Sequence, residues 1–224
     1  FRKCGIDDQK IIITGNPYWD DYYKIFNNLK ISNEPVKKNP IKVLILTTPL
    51  LEHGHWSKNQ RDQNITKLIE ILSKEKDIDY SFKIHPTSEF RDSYEEYIKN
   101  DKTKIFQKES FWDICSDFDI VVSYGFSMIH IEIALAGYRM ILCNFGEKFR
   151  IMPMVDSGIT SGYIQICDNL DELSLQIKNL LNKKIEFDEN YSKEVEKYLY
   201  KFDGNSGMRA AKAIKKLLKN NKSK

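Results

Sequence analysis

Lys42-Val43-Leu44-Ile45-Leu46-Thr47-Thr48 (KVLILTT, 42–48) shows no alternation of polar and apolar residues, and its reading decides the fold. A strand with one wet face alternates, whereas a strand covered by helices on both faces stays apolar throughout. Further strands are expected at Asp79–His85, Lys104–Gln107 (a short one), Asp119–Ser123 (DIVVS), Arg139–Cys143 (RMILC) and Tyr163–Cys167, of which DIVVS and RMILC share the buried, apolar character. Helical segments separate them. Residues 58–75 carry Ile65, Leu68, Ile69 and Leu72 at helical spacing, and 89–99, 109–116 and 128–136 follow. Strand and helix in this order predict an α/β fold, a Rossmann-like three-layer α/β/α arrangement around a mainly parallel sheet. Helices over 169–182, 188–201 and 206–219 complete the chain.

Upstream of KVLILTT the pattern differs. Lys10–Thr14 (KIIIT) reads as a strand stopped by Gly15-Asn16-Pro17, and 18–29 as a helix rich in aromatic residues. Lys30–Pro40 has two prolines and no apolar period, as a linker does. The first residue is Phe1 and the first element is a strand already under way, so the sequence is expected to be part of a longer or processed protein. The division expected is 1–40 as the end of an earlier domain plus linker, 41–200 as the Rossmann-like domain, and 201–224 as a returning helix.

Composition removes several function classes. The 224 residues carry a net charge of +3, with lysines interleaved among acids, which gives no concentrated basic stripe for nucleic acid. Only Lys212–Lys224 is strongly basic, and a solvated helix end explains it. Cys4, Cys115, Cys143 and Cys167 are too far apart for a metal knuckle, and Cys115 and Cys143 fall in apolar segments as buried thiols. A reducing compartment, and hence a cytoplasmic location, is expected. No apolar run approaches the ~18 residues of a membrane span.

In a parallel α/β sheet, ligands bind outside the carboxyl ends of the strands, so the loops there are read for chemistry. Ser123-Tyr124-Gly125-Phe126-Ser127 joins a buried strand to an apolar helix; its amides at a helix start suit a phosphate, and Ser127 is a candidate N-cap. In the following MIHIEIALAG the only polar residues, His130 and Glu132, lie about 200° apart, so one is expected to face water or a neighbouring helix. The other needs a polar partner, either a ribose one turn below Ser127 or a basic side chain. His85-Pro86 closes another strand, with His85 placed to donate to a phosphate or act as acid or base. The loop Thr47–Trp56 brings Thr48, His53, His55 and a Trp56 able to stack on a flat ring; Gly146–Arg150 adds Glu147 to the rim. His53 and His55 have no third partner that completes a metal site, so no metal is expected. Nucleophile elbow, P-loop and dinucleotide fingerprint are absent from the sequence.

Taken together, ITGNPYWDDYY (13–23), KIHP (83–86), VVSYGFSMIHIEIALAGYRMIL (121–142), VDSG (155–158) and FDGNSGMRAAKAI (202–214) resemble, in order and spacing, the C-terminal half of the GT-B fold group. That group includes the UDP-N-acetylglucosamine 2-epimerases and many glycosyltransferases, and the resemblance spans nearly the whole chain. It implies that Ser123, Ser127 and Glu132 match the segment that binds diphosphate and ribose. It also implies that His85-Pro86 match the family's histidine-proline pair near the phosphates, and Asp203-Gly204 the turn before the closing helix. Epimerases carry a His-Arg-Arg-Glu-Asn run after the first strand of this domain; here TTPLLEHGHW stands there, with Pro49 in place of the histidine. The histidine-proline and serine elements are also similar to those of bacterial sialyltransferases and CDP-glycerol-type polymer transferases, which opens a cytosine base beside uracil.

The resemblance therefore implies a nucleotide-sugar (UDP- or CMP/CDP-linked) donor-binding domain of a glycosyltransferase-like enzyme of cell-surface glycan synthesis. Thr48, His85, Pro86, Ser123, Gly125, Ser127, Glu132 and Glu147 are the expected ligand residues, with His85, His53 and His55 as candidate catalytic groups. The nucleotide-sugar is a substrate, and no cofactor is expected. A missing N-terminal domain is the expected partner, and a homodimer is left open. An epimerase with a diverged catalytic loop and a non-catalytic binding module on the same fold are the alternatives.

Overall fold

The apolar runs pair side by side into one six-stranded sheet. Its strands are Ile41–Leu46 (β1), Ile78–Lys83 (β2), Ile105–Phe106 (β3), Ile120–Tyr124 (β4), Met140–Cys143 (β5) and Ile164–Cys167 (β6). Their order is β3-β2-β1-β4-β5-β6 and every pairing is parallel. A computed structural model describes residues 4–28, 34–98, 101–146, 153–185, 195–196 and 199–222. Residues 1–30 with 188–224 form one unit and 31–187 another.

In the larger unit Val43, Ile45, Phe82, Ile120, Val122 and Ile141 share a core with Ile65, Leu68, Ile69 and Leu72 of helix α2 (Lys58–Lys74). Leu173, Ile177 and Leu180 of α7 (Leu173–Asn182) join the same core. Leu44, Val121 and Leu142 point the other way by strand alternation and are just as buried, so both faces are covered as the unalternating pattern predicts. Each such side chain stabilises the fold by roughly 1.5–3 kcal/mol. Helix α2 starts with a capping box, Ser57 taking the Gln60 amide and Gln60 returning to the Ser57 amide.

The remaining helices of this unit are shorter than their sequence suggests. The expected 89–99 helix is one turn, α3 (Asp92–Glu95), because Glu89 turns inward and holds the preceding loop instead of extending the helix. The 109–116 segment is α4 (Phe111–Ile114) followed by a 3-10 turn, and 128–136 is α5 (Ile129–Ala136). A further helix, α6 (Pro153–Thr160), has no clear sequence signal because Gly158 in its interior lowers its propensity. Gly158 is required there by packing: a Cβ would lie 2.4 Å from Cδ1 of Ile164 in β6.

The smaller unit contains α1 (Tyr18–Asn28) and α8 (Ser206–Lys222). Tyr23 and Phe26 of α1 pack on Phe202 at ring separations of 5.4 and 5.8 Å. The Asp20 carboxylate accepts from the Ser206 and Gly207 amides at 2.9 and 2.8 Å, which closes the N-terminus of α8. Arg209 grips both oxygens of Asp203 at 2.8 and 2.7 Å and donates to the Thr14 carbonyl at 2.8 Å. Gly15, at φ +79°, admits this approach, since a Cβ there would stand 2.6 Å from Ser206 Oγ. The expected strand at Lys10–Thr14 is not formed: residues 11–16 have no regular structure, and Ile12 and Ile13 are exposed. A β-run needs a neighbour to pair with, and none runs beside it among the described residues. The expected 188–201 helix lies mostly outside them.

Candidate functional site

The sheet order reverses between β1 and β4: the chain runs from β1 towards β3, then returns to β4 and proceeds to β6. At such a switch point the two following connections leave in opposite directions and open a crevice at the carboxyl ends. The loops after β1 and β4 form its two sides. Thr48 Oγ1 donates to the Tyr124 carbonyl at 2.6 Å, tying them together. Gly125, at φ +67°, lets the β4 loop pass over the β1 loop; a Cβ there would meet Leu50 at 3.2 Å and Thr48 at 3.3 Å.

The β4 loop leads directly into α5. Ser127 is half-buried and Met128 occupies the N-cap position, with no side-chain hydrogen bond capping the helix. The expected Ser127 cap is therefore absent, and the positive end of α5 is not covered by a side chain of its own. Ser123 lies deeper than the sequence suggests. It is fully buried, and its hydroxyl donates to the Leu46 carbonyl at 2.8 Å and meets His130 Nε2 at 2.8 Å. That hydroxyl holds β4, β1 and α5 together and is not presented to the crevice.

His130 and Glu132 are both buried; neither faces water, and Glu132 is turned towards the neighbouring helix α4, one of the two surroundings expected. Each finds its own partner: His130 the Ser123 hydroxyl, and Glu132 the Trp112 indole, which donates to Oε2 at 3.0 Å. Burial lowers the His130 pKa to about 4, so the ring is neutral at physiological pH.

After β2, His85 is half-buried and Pro86 exposed. His85 Nδ1 accepts from the Ser88 amide at 3.1 Å and lies 3.4 Å from that of Thr87. An Nδ1 that accepts leaves the proton of the neutral ring on Nε2, so the imidazole presents a donor. Glu89, buried and unremarked in the sequence, holds this loop. Its Oε2 accepts from the His85 amide at 2.6 Å and from the Thr47 hydroxyl, and its Oε1 from the Tyr94 hydroxyl. Lys83, also buried, donates to the Ile84 and Gln107 carbonyls at 3.0 Å each, and desolvation lowers its pKa. A glutamate four residues after a strand-end histidine was the available signal, masked by its place in a segment with a helical look.

The β1 loop departs most from expectation. Trp56 does not offer a stacking face to a ligand: it is buried, stacked on Tyr124 at 5.2 Å and 22°, with Phe145 edge-on at 5.6 Å. His53 and His55 sit on the exposed turn that follows Leu50. Glu147 lies outside the described residues. Among the described residues no group of three His, Cys, Asp or Glu is placed to hold a metal ion, and no helix is long and apolar enough to cross a membrane.

No protein-family model matches the chain, and neither does any curated protein. Solved structures share its fold. The UDP-GlcNAc 2-epimerase of Methanocaldococcus jannaschii, in complex with UDP-GlcNAc and UDP, is 16% identical with a TM-score of 0.58, over 96% of this chain and 57% of that one. The S. aureus MnaA–UDP co-structure is 12% identical with a TM-score of 0.59, over 97% and 56%. The UDP-GlcNAc 2-epimerase of Neisseria meningitidis, bound to UDP-GlcNAc, is 16% identical with a TM-score of 0.58, over 96% and 58%. The chain thus spans a little over half the length of these proteins, and its fold is that of the C-terminal half of a GT-B protein.

Proposed function

We propose that the crevice between β1 and β4 binds the nucleotide diphosphate part of a nucleotide-sugar, as the donor-holding half of a glycosyltransferase-like enzyme of cell-surface glycan synthesis. One observation carries this reading: α5 starts at the topological switch point with no side-chain cap of its own. Backbone amides at the helix start, together with the positive end of its dipole, favour a phosphate there. His85 Nε2–H is the side-chain donor to that phosphate from the β2 loop, and Glu132, steadied by Trp112, is the acceptor for ribose hydroxyls one turn along α5. In transfer, the same donors stabilise the negative charge that grows on the departing diphosphate, while the acceptor's base comes from a facing domain. Calorimetric titration with UDP, CDP and CMP tests the proposal. Binding of one of them is expected, weakened at least tenfold by His85→Ala; no heat from any at millimolar concentration overturns it.

A sugar-nucleotide epimerase is the second reading, favoured by the fold likeness to UDP-GlcNAc 2-epimerases. It requires that the full-length protein release UDP from UDP-N-acetylglucosamine and that His53→Ala or His55→Ala abolish the release.

A further inference from the structure

A buried carboxylate surrounded only by donors needs a reason, because desolvating it is costly unless each lone pair is used. Glu89 is 2% exposed and gathers three donors from three parts of the fold: the Thr47 hydroxyl after β1, the His85 amide after β2 and the Tyr94 hydroxyl on α3. Its own carbonyl accepts from Gln107 Nε2, after β3, at 2.9 Å. One residue thus ties the loops after three adjacent strands. The loop it closes carries His85, whose Nδ1 is held in turn by the Ser88 amide, the residue immediately before Glu89. Backbone position and ring orientation of His85 are therefore fixed from the same short segment.

We infer that Glu89 is a positioning residue: by anchoring the His85 amide it sets the imidazole so that Nδ1 accepts from Ser88 and Nε2–H faces the crevice. The inference deepens the nucleotide-binding proposal and rests on it for its effect on affinity, but the imidazole geometry is measurable without ligand. Glu89 does not touch the ligand in this scheme. Its carboxylate acts through the loop, and an amide at this position would turn an NH2 towards one of the donors that the carboxylate now accepts from.

Long-range 15N–1H NMR of the ligand-free full chain reads the tautomer of His85, assigned by its loss in His85→Ala. In the wild type a single Nε2–H tautomer is expected. In Glu89→Gln the Nδ1–H form becomes populated, and UDP affinity falls at least about tenfold. That loss is absent when Glu89→Gln is made in the His85→Ala background, as a residue acting through His85 requires. An unchanged tautomer in Glu89→Gln overturns the inference, and so does a full further loss of affinity in the double variant. If the wild type binds no nucleotide, the functional proposal fails while the NMR result still decides the role of Glu89. Should Glu89→Gln not fold, Thr47→Val, which removes one donor from the same carboxylate oxygen, must populate the Nδ1–H tautomer; a wild-type spectrum from it overturns the inference.

Discussion

Two helix N-termini in this molecule are treated in opposite ways. The start of α8 is closed by the chain itself, with the Asp20 carboxylate on the Ser206 and Gly207 amides. The start of α5 follows Gly125 in a tight loop and has no side-chain cap. Both ends present the same partial positive charge. The difference is that α8 has its anion built in, which makes it a structural clasp, whereas on the proposed reading α5 takes its anion from a bound nucleotide. A helix start becomes informative about function when its neighbours explain why it is uncapped, and at α5 the switch point of the sheet supplies that explanation.

Acid should separate the two regions, and the effect around α5 is the larger. Burial lowers the His130 pKa to about 4, against 6.5 for an ordinary histidine. The unfolded chain therefore takes up a proton below about pH 6.5 that the folded chain resists. Stability is full above that pH and is lost as pH falls towards 4, by about 3 kcal/mol in all. Chemical denaturation across this range should show the loss in the wild type and not in His130→Gln; parallel curves would contradict it. At Asp20 burial works to raise the pKa, but hydrogen bonds from Gly207 and Ser206 prevail and hold it below 3.8. Its contribution is present above that value and disappears only as pH drops further, a later and separate window.

Substitutions sharpen the contrast further. Gly125→Val forces a branched side chain into φ +67° against Leu50 and Thr48, and is expected to cost about 2 kcal/mol and to abolish nucleotide binding in calorimetry. Asp20→Ala removes the cap of α8 and should cost about 1 kcal/mol in thermal melts while leaving nucleotide affinity unchanged. A fall in affinity there would show that the two helix starts are not independent. The smallest effect on stability, and the most direct test, comes from Ser127→Asp, which gives α5 an anion of its own. It should stabilise the fold by about 0.5 kcal/mol and weaken UDP binding about tenfold, because carboxylate and phosphate compete for one place. Unchanged affinity would remove the uncapped helix from the account of binding.

The architecture was legible because the central strands β1, β4 and β5 are apolar runs that do not alternate and helical segments separate all six strands, whose placement by sequence agrees with the sheet within two residues at each end. Lys10–Thr14 misled because β-propensity describes a side chain's fit to a sheet that must already be there. Helix α6 escaped because Gly158 is fixed by contact with Ile164, a residue from another element. Around the candidate site, the place of Gly125 and His85 at the carboxyl ends of β4 and β2 was readable from the sequence. The roles of Ser123 and Trp56 were not, since a serine at a strand end looks the same whether it faces a crevice or bridges Leu46 to His130. Glu89 was masked for a similar reason: His85 and Tyr94 lie close to it in the sequence, but its third donor, Thr47, is 42 positions away and only the fold brings it in.

The bond from Ser123 to the Leu46 carbonyl joins residues 77 positions apart, across the β1–β4 pairing that makes the crevice. The neighbouring β1–β2 pairing closes a much shorter loop. During synthesis and refolding, the two walls of the site therefore meet late, after one half of the sheet has had the chance to assemble alone. A chain halted before Ile120 would own β1, β2 and β3 and lack one wall of the proposed site, so nucleotide binding, if the proposal holds, reports that β4 has joined the sheet.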